Sequence, residues 1–326
     1  MIFENFMGIL VLLLIVGLII LANLVRKQEA ETFHKLFDLL LIGLNAPLFI
    51  FGMLLVFQSS ELRAMMDLAV DSPTAVGIFF QATAVWGVVV SFRSTRHSLE
   101  RFFPFDPHSP VHTLALVLSG YFVGYSILQV SGGLATLAEG LDSVPIWLFL
   151  LQQFGFVALA ALGVGFTMRR DGTAVLERLG IKPITGRQAV EAIGWILLLI
   201  LIQAVGGALW DAIDPDEVAV VEQISQQLYQ GFGFWHWFAL ALGAGVGEEI
   251  LFRGALQPIF GIWFTSILFA ISHVQYGFLN PATLVLLSLA LILGHIRKRH
   301  NTSVAILVHF GYDLVLGIMA LLVTAS

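Results

Sequence analysis

An all-α fold, a polytopic bundle of about ten transmembrane helices, is what this chain predicts, on three observations. Hydrophobic residues make up 58% of its 326 residues and charged residues only 12%, whereas soluble domains run at roughly 45–50% and about 25%. Mean hydropathy is +0.91, and the apolar residues are gathered into runs of bilayer-crossing length. With about 20 apolar residues per crossing, spans fall at 6–25, 38–58, 74–92, 111–137, 145–166, 189–209, 236–256, 258–275, 282–296 and 302–322.

The first run follows Met1-Ile2-Phe3-Glu4-Asn5, which lacks the basic flank of a secretory signal, and it continues to Val25. It therefore reads as a retained span. Basic residues follow alternate spans: Arg26, Lys27 and Lys35; Arg93, Arg96 and Arg101; Arg169, Arg170, Arg178, Lys182 and Arg187; Arg297, Lys298 and Arg299. The intervening loops are acidic, with Asp67 and Asp71, Glu139 and Asp142, then Asp211, Asp214, Asp216, Glu217 and Glu222. By the positive-inside rule the basic loops are cytoplasmic and the N-terminus is outside. Residues 218–230 pattern as a short helix on the outer surface. Phe232, Phe234, Trp235, Trp237 and Phe238 then read as an interfacial belt opening the seventh span. The loop Arg169 to Arg187, with Gly172, Gly180, Pro183 and Gly186, is the natural boundary. It divides the chain into leading helices at 1–168, a linker at 169–188 and a C-terminal membrane domain at 189–326.

A formal net charge of -6 excludes a basic nucleic-acid-binding protein. The absence of cysteine excludes a disulfide framework, thiolate chemistry and Cys-ligated metal. The expected surroundings are a lipid bilayer and a membrane-associated protein or peptide substrate, in the plasma membrane of a prokaryote.

Chemistry concentrates behind the boundary loop. Gly243-Ala244-Gly245-Val246-Gly247-Glu248-Glu249-Ile250-Leu251-Phe252-Arg253-Gly254 places two carboxylates and a guanidinium inside an apolar run. Each such group costs at least about 2.5–3.5 kcal/mol at bilayer depth, so function is the default reading. On an α-helix Glu249 and Arg253, four apart, share a face and suit an ion pair, while Glu248 is turned about 100° away. Gly243 and Gly247 let a neighbouring backbone approach. Two later spans add Phe269 with His273, and His309 with Asp313, each pair again four apart. Two His from separate helices and a Glu, here Glu248, His273 and His309, can hold a divalent metal such as Zn with an open position for water. The same set without metal lets a carboxylate, oriented by an imidazole, take a proton from water. The residues alone leave both routes open, and no His-Glu-x-x-His helix is present.

Glu-Glu-x-x-x-Arg, Phe-x-x-x-His and His-x-x-x-Asn/Asp, in this order on successive helices, resemble the CAAX-processing and bacteriocin-processing (CPBP, or Abi) family of intramembrane proteases. The resemblance covers roughly Trp235 to Leu322. It implies an all-helical protease core that cleaves a peptide bond near or within the membrane. It also implies that Glu248 activates water with His273 as partner and that Glu249 and Arg253 form a structural pair. His309 and Asp313 match the third motif, where the eukaryotic prenyl-protein proteases carry Asn as an oxyanion donor. An ionised carboxylate cannot donate, so Asp313 is protonated, orients His309 or assists a metal. Two rival readings use the same residues: a proton- or cation-coupled transporter, and a non-catalytic scaffold. Against the transporter stand the lack of internal repeats and the confinement of charge to the last four spans. One tension is geometric. Glu248 and His309 fall near the cytoplasmic ends of their spans, but His273 falls late in the eighth, nearer the outside. Tilt, or an eighth span beginning inside the bilayer at Pro258 and Gly261, would reconcile them.

Overall fold

The computed structural model describes residues 2–28, 30–57, 73–130, 132–140 and 143–325. Asp67, Asp71 and Asp142, used above in reading the outer loops, lie outside them. The described chain is helical and forms two compact units, Met1–Gly132 with Gly165–Arg170, and Gly133–Val164 with Asp171–Ser326.

The first unit contains α1 (Ile2–Lys27), α2 (Glu31–Phe57), α3 (Pro73–Ser91), the short α4 (Arg93–Leu99) and α5 (Pro110–Gln129). Its long helices turn Leu39, Ile50 and Ile78 outward and Leu41, Leu55 and Val90 inward, as helices with lipid on one side do. Pro47 lies inside α2. The neighbouring Asn45 is buried, giving its amide to the Leu41 carbonyl and accepting the Tyr121 hydroxyl.

The second unit contains α6 (Leu134–Gly140), α7 (Ile146–Gly163), α8 (Gly172–Leu179), α9 (Gly186–Ile213), α10 (Pro215–Leu228) and α11 (Phe234–Glu248). A π-helical segment (Glu249–Leu256) leads into α12 (Gln257–Ser272) and a 3-10 turn (Val274–Tyr276), and α13 (Pro281–Arg299) and α14 (Thr302–Ala325) complete it. Local chemistry sets the starts. Thr185 and Gln188 close a capping box on α9, and Asn280 caps α13 through the Thr283 amide. The core between α9, α13 and α14 is built from Leu199, Leu293, Ile296, Val304 and Val308.

One element boundary differs from the sequence reading. The segment expected at 111–137 is α5 followed by α6, separated around Gly133, whose φ is +86. α7, which precedes the boundary loop, packs with the C-terminal helices in the second compact unit. A Cβ on Gly247 would stand 2.9 Å from the Gln153 carbonyl oxygen. The glycine spacing foretold that close approach, and α7 is the helix that makes it.

Nine stretches of the described residues are long and apolar enough to cross a bilayer, and Phe234–Ser272 counts as one of 39 residues. It is not straight. On a continuous helix Phe252 and Phe269 would be about 25 Å apart, yet their ring centroids lie 5.2 Å apart. The chain doubles back at Gly261, where φ 75 and ψ 176 are open to glycine alone. The ten expected segments are thus present, the seventh and eighth joined in one folded-back stretch. After the turn, residues 262–272 rise about 16 Å, roughly half a hydrocarbon core of about 30 Å. The fold-back resolves the tension over His273. Glu248 is four residues before Phe252 and His273 four after Phe269, so the turn that joins the two rings also brings the carboxylate and the imidazole level. This stretch is also the most enclosed, with 56% of its most apolar window buried against at most 39% in any other.

Candidate active site

Glu248 ends α11 and Glu249 begins the π segment, so the two carboxylates straddle a change of helical geometry. Such i→i+5 turns are rare and gather at functional sites. Glu249 and Arg253 are buried, with Arg253 Nε 3.3 Å from Glu249 Oε2. The expected pair is therefore present, but the wider turn loses the alignment of a hydrogen bond: Glu249 Oε2 and Arg253 Nη1 both lack a hydrogen-bond partner. Arg253 gives Nη2 to the Ala290 carbonyl at 3.2 Å and lays its guanidinium 4.3 Å from the Phe269 ring centroid, a cation–π contact.

α14 reaches this pair because α11 offers it small residues. A Cβ on Gly245 would lie 3.2 Å from the Ile306 carbonyl, and that closeness seats His309 beside Glu249. Nδ1 of His309 lies 2.9 Å from Glu249 Oε1, and Nε2 lies 3.3 Å from Asp313 Oδ2. A carboxylate oxygen accepts, so Nδ1 donates to Glu249, while Nε2 faces Asp313 at ion-pair distance. The resemblance made Glu249 a partner of Arg253 alone, whereas here it also holds an imidazole.

His273 follows α12 as its C-cap. Nδ1 lies 2.9 Å from the Phe269 carbonyl and 3.1 Å from Ser272 Oγ. The carbonyl is an acceptor only, so Nδ1 carries the proton and Nε2 keeps its lone pair. The His273 ring centroid is 4.7 Å from that of Phe269. Glu248 completes the group. Its Oε2 is buried without a hydrogen-bond partner, and His273, His309, Asp313 and Glu249 are all near enough to act on it electrostatically. The six residues singled out by sequence, Glu248, Glu249, Arg253, His273, His309 and Asp313, thus gather in one place.

The conditional metal set does not fit as arranged. A His ligand needs a free lone pair, and His309 turns both nitrogens toward carboxylates. Among the described residues no three His, Asp or Glu side chains are grouped to hold an ion.

Sequence reading missed two phenols. Tyr229, the C-cap of α10, lies in electrostatic reach of Tyr276, Asp313 and Glu248. Tyr276, in the 3-10 turn, stacks on His273 with centroids 6.5 Å apart and planes at 24°. Burial holds both phenols above their ordinary value, Asp313 adding to each, so they keep their O–H. A signal existed for Tyr276, three residues after His273. Tyr229 was hidden by the aromatic cluster that follows it. Trp235 is exposed as an interfacial belt requires, but Trp237 and Phe232 pack on Tyr229 at 4.9 and 5.6 Å.

What fold and site define together is an all-helical, multi-pass membrane protein with a buried ionisable centre in its C-terminal third. Residues 230–315 match the family described as Type II CAAX prenyl endopeptidase Rce1-like, in agreement with the CPBP resemblance of the three motifs. The matched stretch is about a quarter of the chain and contains all six residues of the cluster. No curated protein and no solved structure matches the chain.

Proposed function

We propose that this protein is an intramembrane endopeptidase that hydrolyses a peptide bond with water activated by Glu248 and His273. The observation that carries the reading is the Glu248 carboxylate, with one oxygen buried and unpartnered beside two imidazoles. A buried acceptor without a partner is destabilising by about 1–3 kcal/mol, more when charged, and a water molecule relieves it. That water gives one O–H to Glu248 and the other to the free Nε2 of His273, leaving an oxygen lone pair for the substrate carbonyl. As the new C–O bond forms, Glu248 takes the proton; as the C–N bond breaks, the same proton passes to the leaving nitrogen.

Glu249 and Arg253 support this centre without entering it. Glu249 fixes His309, and the 3.3 Å contact between His309 and Asp313 favours the orienting role among the three open to Asp313. The substrate is a membrane-associated protein or peptide. The family's printed description makes a prenylated C-terminal CAAX peptide the first to try. The alternation of loop charge supports an orientation with the N-terminus outside.

The test uses purified protein in proteoliposomes with internally quenched peptides, one farnesylated with a CAAX end and one unprenylated transmembrane peptide. We expect cleavage of at least one, lost in Glu248→Gln. If neither is cleaved, or the folded Glu248→Gln protein cleaves at the wild-type rate, the reading fails. Glu248-dependent ion uptake into the same vesicles would point to transport instead.

A further inference from the structure

α8 lies in the loop that reads as a domain boundary, yet it is built for contact. Asp171 caps its first turn through the Ala174 amide at 2.8 Å, and Gly180, at φ +74, ends it. Val175 and Leu179 pack with Ala160 and Val164 of α7, with Ala255 of the π segment, and with the partly buried Ile250 and Leu251. A Cβ on Gly254 would stand 3.0 Å from the Leu179 carbonyl oxygen. Glycine at 254 therefore lets the end of α8 lie directly against the π segment.

Arg178 closes this contact with a hydrogen bond. Its Nη1 donates to the Gly254 carbonyl at 3.0 Å. In an α-helix that carbonyl would accept from the amide of residue 258, but residue 258 is proline, which has no N–H. The amide before it, that of Gln257, is given to Phe252, five residues back, so neither 257 nor 258 serves Gly254. The same end of α8 also grips α14. Thr302, fully buried, donates Oγ1 to the Leu179 carbonyl at 2.6 Å and its amide to the Gly180 carbonyl at 3.0 Å. Lys182 gives its amide to Ser303 Oγ at 2.9 Å. One end of α8 thus holds both the segment that carries Glu249 and the helix that carries His309. The 2.9 Å contact between those two side chains depends on how segment and helix lie along each other.

We propose that Arg178 is a positioning residue of this site: by holding the Gly254 carbonyl it sets the π segment against α14, and so sets Glu248 and Glu249 against the imidazoles. The assignment rests on the peptidase reading. Arg178 touches no reacting atom, since its bond is to the backbone six residues beyond Glu248. It acts through alignment alone. A misplacement of about 1 Å in a catalytic group is enough to lower the rate about 10²-fold, and a residue that governs alignment changes kcat more than KM. The proline at 258 makes the role specific, because the donor that Arg178 supplies is the one the chain itself lacks there.

The test is Arg178→Met, which keeps the length of the side chain and removes its donors, assayed with whichever quenched peptide the wild type cleaves. Rates are referred to the folded, monodisperse fraction, so that partial unfolding lowers yield and not kcat. The expected result is a fall in kcat of about 10- to 10²-fold, with KM within about twofold. Arg178→Lys, which keeps one donor, should recover most of it. The double variant Arg178→Met/Pro258→Ala should also recover activity, because an amide at 258 can serve Gly254; a merely structural arginine predicts no such rescue. Hydrogen exchange should quicken in residues 249–259 of Arg178→Met and stay unchanged in α9. Thr302→Val, which frees the Leu179 carbonyl, should lower kcat by a smaller factor. Wild-type kcat in Arg178→Met, or in Thr302→Val where Arg178→Met yields no folded protein, beside an inactive Glu248→Gln overturns the Arg178 assignment alone. So does a loss that neither Arg178→Lys nor Pro258→Ala relieves. Wild-type activity in Glu248→Gln overturns the peptidase reading and this assignment with it.

Discussion

The two units each bury an arginine at a membrane helix, and they treat it in opposite ways. In the first unit every guanidinium nitrogen of Arg96 has a hydrogen-bond partner. Nε goes to the Pro107 carbonyl at 2.8 Å, Nη1 to the Ser91 and Val90 carbonyls at 2.6 and 3.2 Å, and Nη2 to Asp38 at 2.8 Å. In the second unit Arg253 meets its carboxylate at 3.3 Å without hydrogen-bond alignment, and Glu248 Oε2, Glu249 Oε2 and Arg253 Nη1 are all unpartnered. A satisfied buried charge is architecture, since its polar atoms are used in holding chain to chain. An unsatisfied one is a standing free-energy deficit that a reacting molecule can relieve. By this criterion Arg96 builds the fold of the first unit, and the Glu248, Glu249 and Arg253 group of the second keeps capacity for chemistry.

The contrast can be broken by mutation, the largest expected effect first. Glu248→Gln should lower peptide cleavage by about 10²- to 10⁴-fold while leaving thermal stability equal or raised, because a neutral amide is easier to bury than a carboxylate. A loss of activity accompanied by an equal loss of folded protein would place Glu248 with Arg96 instead. Arg96→Ala should be destabilising by about 3–5 kcal/mol, since it leaves Asp38 with Arg93 at 3.7 Å as its ion-pair partner and strips three carbonyls of a donor. A thermal melt in detergent checks this, and the remaining folded protein should keep its specific activity. Gly247→Ala should be destabilising by about 1–3 kcal/mol through overpacking against the Gln153 backbone, and activity should fall with it because Glu248 is the next residue. Gly261→Ala imposes a side chain on a conformation that strains it by about 1–3 kcal/mol. Peptide cleavage should fall further than the melting temperature accounts for, as His273 moves off the level of Glu248.

Much of the site was legible because its residue types are expensive in lipid. Glu248, Glu249, Arg253, His273, His309 and Asp313 stand out against an apolar background, and four-residue spacings paired them on helix faces. The helices were legible from run length, and the closeness of α11 to a neighbour from its glycines. What escaped reading was whatever depends on contacts between distant segments. Periodicity assumes an α-helix, so it could not show that residues 249–256 widen into π turns. Hydropathy counted 258–275 as a full span because it weighs composition and not direction, although Pro258 and Gly261 marked the place where the chain reverses. Tyr229 sits in a stretch whose aromatic content has an ordinary interfacial explanation, and only packing separates the ring that turns inward from the ones that face out.

The reversal at Gly261 makes the distance between two motifs a fixed count of residues. One residue added between Phe252 and Phe269 would rotate everything after it by about 100°, swinging His273 off its face and parting the two phenylalanines. One residue added between Gly277 and Pro281, beyond the hairpin, would lengthen a surface connection and leave that register untouched. Natural variation in chain length should therefore be forbidden within the first interval and tolerated in the second.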